Sequence, residues 1–374
     1  MGLKIEDIDK NFKVAGGLDS DGIKRLDASK SPFSLHGLFY DNEKGFMRIP
    51  QSAVEGLQID LWHLANDAAG GRIKFSTDSD KIEIRAHYKR FFDVPNQQRM
   101  GHSGFSLIEE TDGVYRHICT FAAPFNAENT FDKWAFDPTA DCTINLVSSR
   151  ELSGGKMRDY VLFMPSYCGV QDLTLGFDEN ATVSSGREYK KDKTVLYYGS
   201  SITQGACAGR PDTSYQGHIS KWTNTDFVNI GLSGNAKGQK QMAEFLASVD
   251  CNVFVCDYDF NENSAAELRE KHYDFYKAYR SIRPNTPIIF LSKPNLDRDK
   301  EVYERIDIIK QTVKKAKESG DKKVYFINGE TILGKTVSER EVCSVDGVHP
   351  NDLGFYRMAK AIRKMLAKID RAYK

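Results

Sequence analysis

Two patterns of apolar and polar residues divide the chain. From about residue 30 to 185, short runs of alternating apolar and polar positions are separated by turn residues. The clearest runs are GRIKFSTDSDKIEIRAHY, GVYRHICTFAA, DCTINLVS, DYVLFMPSY and VQDLTLGF. Many short strands at regular spacing are typical of an antiparallel β-sandwich. One helix is predicted among them, over PQSAVEGLQIDLWHLAND.

From Thr194 onwards, buried apolar runs alternate with long amphipathic segments. The predicted strands are TVLYYG, DFVNIG, NVFVCDYD, TPIIFLSK and KKVYFIN. Two helices are predicted from apolar stripes at helical spacing. The stripes are Val302, Ile306, Ile309, Val313 and Ala316, and Phe355, Ala359, Ile362, Leu366 and Ile369. Alternation of strand and helix predicts a parallel sheet with helices on both faces.

The change of pattern predicts two domains, and 374 residues are enough for two hydrophobic cores. The polar, glycine-containing segment SSGREYKKDK is the predicted linker. We therefore place a β-sandwich domain at residues 1–185 and an α/β domain at residues 186–374.

Composition and charge exclude several classes of partner. The chain has 52 basic and 52 acidic residues, so it has no net charge to attract nucleic acid or an anionic membrane. No apolar stretch approaches the roughly 20 residues of a membrane-spanning helix. The start, MGLKIEDIDKNFKV, lacks the pattern of a signal peptide, and the 7 cysteines include no CxxC pair. We expect a cytoplasmic protein with reduced thiols, and a homo-oligomer is left open.

Candidate chemistry follows the ends of the predicted strands. The residues after the carboxyl ends of parallel strands meet at one edge of the sheet, where ligands bind. Ser200 and Ser201 follow the first strand, and the turn GLSGN closes the second. Asn261 follows the third strand, and Asp346 and His349 precede the last helix. A hydroxyl, a glycine turn, an amide and an Asp/His pair are therefore expected to meet.

This set has the parts that acyl transfer needs. A serine hydroxyl becomes nucleophilic when an imidazole takes its proton, and a carboxylate orients the imidazole. Ser201, His349 and Asp346 can supply these groups. The backbone N–H groups of Ser201 and Gly234 and the side-chain amide of Asn261 can hold the oxyanion. Each motif alone also fits a capping hydroxyl or an ordinary turn, so the hypothesis depends on their order along the chain.

The blocks YGSSITQG, GLSGNAKG, DFN and DGVHP resemble those of the SGNH, or GDSL-type, hydrolases, from Thr194 to the C-terminus. The resemblance implies a flavodoxin-like three-layer α/β/α fold with a five-stranded parallel sheet. It implies the site roles just given, with the second serine, Ser201, as the nucleophile. Two positions depart from the family pattern. Ser200 stands where the family usually has Asp, and Asp259 stands in place of the glycine of Gly-x-Asn.

The N-terminal half is similar to the jelly-roll domain of a two-domain subgroup of this family. The Gly-x-Asp-Leu-Tyr signature of that domain aligns with GFSLI, residues 104–108. Several members of the subgroup resemble carbohydrate O-acetyl esterases of gut and rumen bacteria that act on acetylated xylan or mannan fragments. The resemblance implies a serine esterase for acetylated plant oligosaccharides, without metal or cofactor, in which the sandwich helps to hold the sugar.

Three alternatives stay open. A lipase or thioesterase of the same family would prefer longer acyl chains, a carbohydrate-binding protein would have a silent hydrolase domain, and a metal-dependent phosphoesterase would lose activity with a chelator. The segment DYDFNEN has alternating oxygens but lacks the glycine and the bidentate glutamate of a calcium loop. Trp134 is a candidate for stacking on a sugar ring, although tryptophan more often packs in a core or at its edge.

Overall fold

The computed structural model describes residues 17–18, 21–91, 94–123, 144–294 and 301–374. The strands in these ranges are β1 (Ile23–Asp27), β2 (Ser34–His36), β3 (Phe39–Asp41), β4 (Gly45–Met47), β5 (Arg72–Thr77), β6 (Lys81–Arg90), β7 (Phe105–Thr111), β8 (Val114–Phe121), β9 (Asn145–Glu151), β10 (Arg158–Phe163), β11 (Gly169–Asp178), β12 (Val183–Ser184), β13 (Thr194–Gly199), β14 (Asp226–Gly231), β15 (Val253–Asp257), β16 (Ile288–Leu291) and β17 (Val324–Ile327). The α-helices are α1 (Gln51–Val54), α2 (Ile59–Ala65), α3 (Arg99–His102), α4 (Ser201–Gln204), α5 (Tyr215–Thr223), α6 (Lys240–Ser248), α7 (Ala265–Ile282), α8 (Val302–Glu318), α9 (Val337–Glu341) and α10 (Asp352–Ile369).

Apart from β3 and β4, which pair with each other, the N-terminal strands form two antiparallel sheets that share one apolar core. One sheet has the order β1-β11-β6-β9, and the other has the order β12-β5-β10-β7-β8 with β2 also paired to β5. Phe75 and Leu162 of the second sheet pack in the same buried cluster as Ile84 and Leu175 of the first. Side chains of a strand alternate between its two faces, which explains the alternating sequence runs. The predicted antiparallel β-region is confirmed, and its jelly-roll connectivity stays a prediction.

The helix predicted over residues 50–67 is two short helices, α1 and α2. Glu55 adopts an extended conformation, which ends α1 after one turn. The chain then enters α2 at Ile59. Val54, Leu61 and Leu64 all pack in one buried cluster, so the apolar pattern continues through the break. The spacing of apolar residues alone therefore could not show where the first helix ends.

The C-terminal strands form a five-stranded parallel sheet with the order β14-β13-β15-β16-β17. Apolar side chains on the two faces of this sheet pack in separate clusters. In β13, Leu196 and Tyr198 face the cluster that includes α6, α7 and α8, whereas Val195 and Tyr197 face the cluster that includes α5 and α10. Burial on both faces explains why TVLYYG is almost continuously apolar. The predicted flavodoxin-like three-layer fold is confirmed.

The register of the sheet brings three strand ends to one place. Gly199 at the end of β13 is paired with Gly231 of β14 on one side and with Asp257 of β15 on the other. The strand order reverses between β13 and β15, and ligands bind at such switch points in open α/β sheets. None of the helices in the described part of the chain is long and apolar enough to span a membrane.

The segment between β12 and β13 packs against the sandwich. The Arg187 guanidinium donates to Glu110 Oε1 at 2.5 Å. The Tyr189 ring lies 4.8 Å from the His36 ring, and the Lys74 ammonium lies 4.0 Å from the centre of the Tyr189 ring. The segment predicted as a linker is therefore fixed by contacts that its polar composition did not indicate. The predicted boundary between residues 185 and 186 falls within it and stays a prediction.

A buried cation joins the two domains. Arg48 follows β4 and is only 4% exposed. Its guanidinium donates to the carbonyl oxygens of Asp67 at 2.9 Å, Asn229 at 3.2 Å and Gly231 at 2.8 Å, and it also contacts the Leu64 carbonyl oxygen. Asn229 and Gly231 belong to β14, so one side chain of the sandwich domain is anchored to the strand that leads into the turn GLSGN.

Candidate active site

The turn after β13 gives the two serines different environments. Ser200 is buried, and its Oγ accepts a hydrogen bond from the Ile202 N–H at 3.2 Å. It therefore caps the single-turn helix α4. The strand ends at Gly199, and this position has room only for glycine, because a Cβ atom there would lie 1.5 Å from Asp257 Oδ1. Ser201 begins α4 and is half-buried, so its hydroxyl is the one presented at the sheet edge.

Ser201, His349 and Asp346 form one chain of hydrogen bonds. Ser201 Oγ lies 2.9 Å from His349 Nε2, and His349 Nδ1 lies 2.7 Å from Asp346 Oδ2. The loop between α9 and α10 carries both His349 and Asp346. When Nδ1–H donates to the carboxylate, Nε2 is left unprotonated and can accept the serine proton. The structure thus brings together the three side chains that the sequence analysis selected.

The Asp346 carboxylate accepts further hydrogen bonds. Oδ1 accepts from the backbone N–H groups of Val348 at 3.0 Å and His349 at 2.7 Å, and Oδ2 also accepts from Asn96 Nδ2 at 2.6 Å. Burial raises the pKa of Asp346, but the hydrogen bonds from His349, Asn96 and Val348 outweigh it and hold this pKa well below its ordinary value. The carboxyl group is therefore ionised at neutral pH and can orient the imidazole.

The predicted oxyanion donors lie on two neighbouring loops. Gly234 is exposed with φ +70°, a left-handed conformation that favours glycine. Asn261 Oδ1 accepts from the Ala236 N–H at 3.2 Å, which leaves Nδ2 as the donor end of the amide. The Lys237 ammonium contacts the Asn261 carbonyl oxygen. These contacts connect the Gly234 loop to the Asn261 loop and fix the side-chain amide through its oxygen.

Replacing Asn261 with alanine is expected to lower kcat for ester hydrolysis by about a hundredfold with little change in KM, because one oxyanion donor is lost. Asn261→Asp keeps the oxygen that accepts from Ala236 and loses the N–H, so it should be at least as slow. Steady-state kinetics on p-nitrophenyl acetate measures both. The control is Asn285→Ala, since Asn285 is exposed, precedes β16 and contacts Lys323 rather than a residue of the site. Near wild-type kcat in both Asn261 variants would remove Asn261 from the site.

The sandwich domain places several polar groups against α4, the helix that begins at Ser201, and the sequence did not predict them. Gln204 Nε2 of α4 donates to Asp67 Oδ2 at 2.8 Å and to the Ser166 carbonyl oxygen at 3.1 Å. The Tyr167 hydroxyl donates to the Ser201 carbonyl oxygen at 3.3 Å. Asn96, which contacts the acid of the site, belongs to the same domain. These residues lie in loops between strands, and no spacing in the sequence links them to Ser201.

Two places in the described residues bear on the predicted alternatives that involve a metal. Among them, one group of three has potential ligand atoms within 4.8 Å of one another: Cys207, Asp346 and His349. A cation there would compete with the hydrogen bond between the last two. In the segment DYDFNEN, Asp257 accepts from Thr203 and Asp259 accepts from the Lys293 N–H, so the two carboxyl groups have different partners. Trp134, the candidate for sugar stacking, lies outside the described residues.

Two family profiles match the chain, one for each half. Residues 192–367 match the GDSL-like lipase/acylhydrolase family, and residues 23–183 match the GxDLY family, described as the N-terminus of an SGNH-hydrolase-type esterase. Residues 192–367 thus form a domain of the SGNH, or GDSL-type, hydrolases. The expected resemblance to the two-domain subgroup of this family is therefore confirmed. No curated protein matches the chain.

Solved structures of SGNH hydrolases and related enzymes share this architecture. A protein of Bacteroides ovatus assigned as a GDSL-like lipase is 27% identical, with a TM-score of 0.78 over 93% of this chain and 98% of that chain. The salicylyl-acyltransferase SsfX3 of a tetracycline biosynthetic pathway is 14% identical, with a TM-score of 0.74 over 94% of this chain and 98% of the acyltransferase. The acetyl xylan esterase Est2A of the rumen bacterium Butyrivibrio proteoclasticus is 13% identical, with a TM-score of 0.58 over 94% and 100%. At these identities, the last two show a shared fold alone.

Proposed function

We propose that the chain is a serine esterase that removes O-acetyl groups from acetylated plant oligosaccharides derived from xylan or mannan. The observation that carries the proposal is the 2.9 Å contact of Ser201 Oγ with His349 Nε2, in a chain of hydrogen bonds that ends at Asp346. Membership of the SGNH hydrolases supports ester hydrolysis. The similarity in fold to an acetyl xylan esterase supports the choice of an acetylated carbohydrate.

Acylation begins when Ser201 Oγ attacks the ester carbonyl carbon and His349 Nε2 accepts the hydroxyl proton. The carbonyl oxygen becomes an oxyanion, which the N–H groups of Ser201 and Gly234 and the amide of Asn261 stabilise. The Ser201 N–H is available for this because it lies in the first turn of α4, where an N–H has no acceptor within the helix. His349 then returns the proton to the sugar oxygen as the C–O bond breaks.

Deacylation uses the same groups. Water attacks the acetyl-enzyme carbonyl carbon while His349 Nε2 takes a proton from the water. The oxyanion forms again at the same donors, and its collapse breaks the bond to Ser201 Oγ. His349 reprotonates that oxygen, and acetate leaves. Throughout, the ionised Asp346 stabilises the imidazolium and keeps Nε2 directed at the reacting atoms.

The substrate class is tested by chain length and by sugar. We expect kcat/KM to be highest for p-nitrophenyl acetate and to fall about tenfold or more by the octanoate, because a site shaped for acetyl excludes the additional methylenes. Acetate release from acetylated xylan, mannan and pectin fragments, with products mapped by NMR, then identifies the sugar and the acetyl position.

Other outcomes of these assays favour the alternatives. A rate that rises with acyl length would indicate a lipase or thioesterase. Binding of acetylated sugars without acetate release would indicate a carbohydrate-binding protein. Hydrolysis of p-nitrophenyl phosphate that is lost with a chelator would indicate a metal-dependent phosphoesterase. An esterase with the expected cytoplasmic location would act on imported oligosaccharides rather than on the intact polymer.

A further inference from the structure

We infer that the β-sandwich domain supplies a positioning residue to the active site: Asn96 holds the Asp346 carboxylate against His349, and Cys207 fixes the loop that carries Asn96. The inference rests on the proposed roles of Asp346 and His349. It gives the sandwich a part in catalysis itself, in addition to any part in holding a sugar.

Asn96 meets the carboxylate through its NH2 group. Its Nδ2 lies 2.6 Å from Asp346 Oδ2, and His349 Nδ1 lies 2.7 Å from the same oxygen. Only the NH2 end of an amide can donate, and its carbonyl oxygen would be repelled by the carboxylate, so chemistry fixes the orientation of the side chain. Two donors, one from each domain, therefore converge on the oxygen that orients the base.

The loop that carries Asn96 lies between β6 and α3 and is held from the other domain. The Cys207 thiol donates to the Asn96 carbonyl oxygen at 3.2 Å. Cys207 is 4% exposed and has φ +67°. This is a left-handed backbone conformation that residues other than glycine, Asn and Asp seldom adopt. It follows closely after α4, the helix that begins at Ser201. The nucleophile helix, the sandwich loop and the acid–base loop thus all meet at Asn96.

The contact has two consequences for the base. It restricts where the carboxylate can lie, and therefore the direction of His349 Nε2. It also draws negative charge away from Oδ2, which weakens the attraction between the carboxylate and a protonated imidazole. Without Asn96, the carboxylate is less fixed but stabilises the imidazolium more strongly. Activity on the acidic side of the pH profile is then expected to be lost at a higher pH.

The test uses Asn96→Leu in the full chain, with p-nitrophenyl acetate as substrate. We expect kcat to fall about tenfold, since a hydrogen bond to a charged group is lost, while KM stays within about twofold. The acidic limb of the pH profile of kcat/KM should move up by about half a pH unit. Asn96→Ala removes the same amide without adding bulk, so its acidic limb should move up by the same amount. Thermal unfolding of each variant reports whether the chain is folded.

The matched control is Asn145→Leu. Asn145 also belongs to the sandwich domain, and its side chain pairs with His87 at 3.0 Å in an exposed contact. This variant should keep wild-type kcat and an unshifted acidic limb.

The role of Cys207 is tested by coupling. We expect Cys207→Ala to lower kcat about threefold and Cys207→Ser, which keeps a donor, to recover most of it. In the Asn96→Leu background, Cys207→Ala should cause no further fall, because it acts through the same contact. Additive losses would contradict the assignment of Cys207.

The outcomes separate this inference from the proposed function. A wild-type protein without esterase activity overturns the proposed function and this inference together. An active wild-type protein with an inactive Ser201→Ala variant, combined with wild-type kcat or an unmoved acidic limb in folded Asn96→Leu and Asn96→Ala, overturns the inference alone.

Discussion

Ser201→Ala is expected to lower kcat for p-nitrophenyl acetate by about a thousandfold or more, whereas Ser200→Ala should keep kcat within a few-fold of the wild type. Alanine at position 201 leaves His349 without a hydroxyl to deprotonate, so no acyl-enzyme can form. The oxyanion donors remain and allow only a slow direct attack by water. Acetate release, and mass spectrometry of the chain after reaction with a serine-directed phosphonate, measure the two variants.

Ser200 is the matched control because it is the same residue type one position earlier. Its hydroxyl accepts from the Ile202 N–H rather than facing the base. Losing this cap should cost about 1 kcal/mol of unfolding free energy, visible as a lower unfolding midpoint. A Ser201→Ala variant with near wild-type kcat would overturn the mechanism. Loss of activity in Ser200→Ala alone would show that the nucleophile is the first serine of the pair.

Much of the hydrolase domain could be predicted because its signals are local. The strand TVLYYG is apolar at nearly every position because both faces of the sheet are covered, so its bounds were found to the residue. Parallel strands with aligned ends bring their following loops to one edge. From that single rule the sequence predicts that Ser201, Gly234 and Asn261, which are far apart in the chain, meet at this edge.

The contributions of the sandwich could not be predicted in the same way. Asn96 contacts Asp346 across 250 positions of sequence, and nothing near Asn96 distinguishes it from an ordinary loop residue. Tyr167 and Ser166 follow a strand whose pattern reports only which face is buried. Such contacts depend on how two domains dock, which neither periodicity nor spacing encodes. The break between α1 and α2 was missed for a related reason, since both helices keep their apolar residues on the same core.

Arg48→Met is expected to lower the free energy of unfolding by about 3–5 kcal/mol, because it leaves buried carbonyl oxygens without a donor. Methionine matches much of the apolar stem, so the loss comes from the guanidinium. Burial lowers the pKa of Arg48 to about 10, which keeps the group charged at neutral pH. Urea unfolding followed by circular dichroism measures the change. We also expect a lower kcat, since the Gly231 carbonyl that Arg48 holds lies three residues before Gly234.

Two further variants test whether the guanidinium, rather than a charge in general, is required. Arg269 and Glu304 form an ion pair in which the side chains are 48% and 50% exposed, so Arg269→Met should cost less than about 1 kcal/mol. Arg48→Lys keeps a buried charge but cannot reach several carbonyl oxygens in fixed directions, so it should recover only part of the loss. If Arg48→Met proved as mild as Arg269→Met, other donors or water would have to satisfy these carbonyl oxygens. The sandwich would then be held to β14 by Arg72, which contacts Asp226 and donates to the Phe227 carbonyl oxygen at 2.7 Å, and the Gly234 turn would not depend on Arg48.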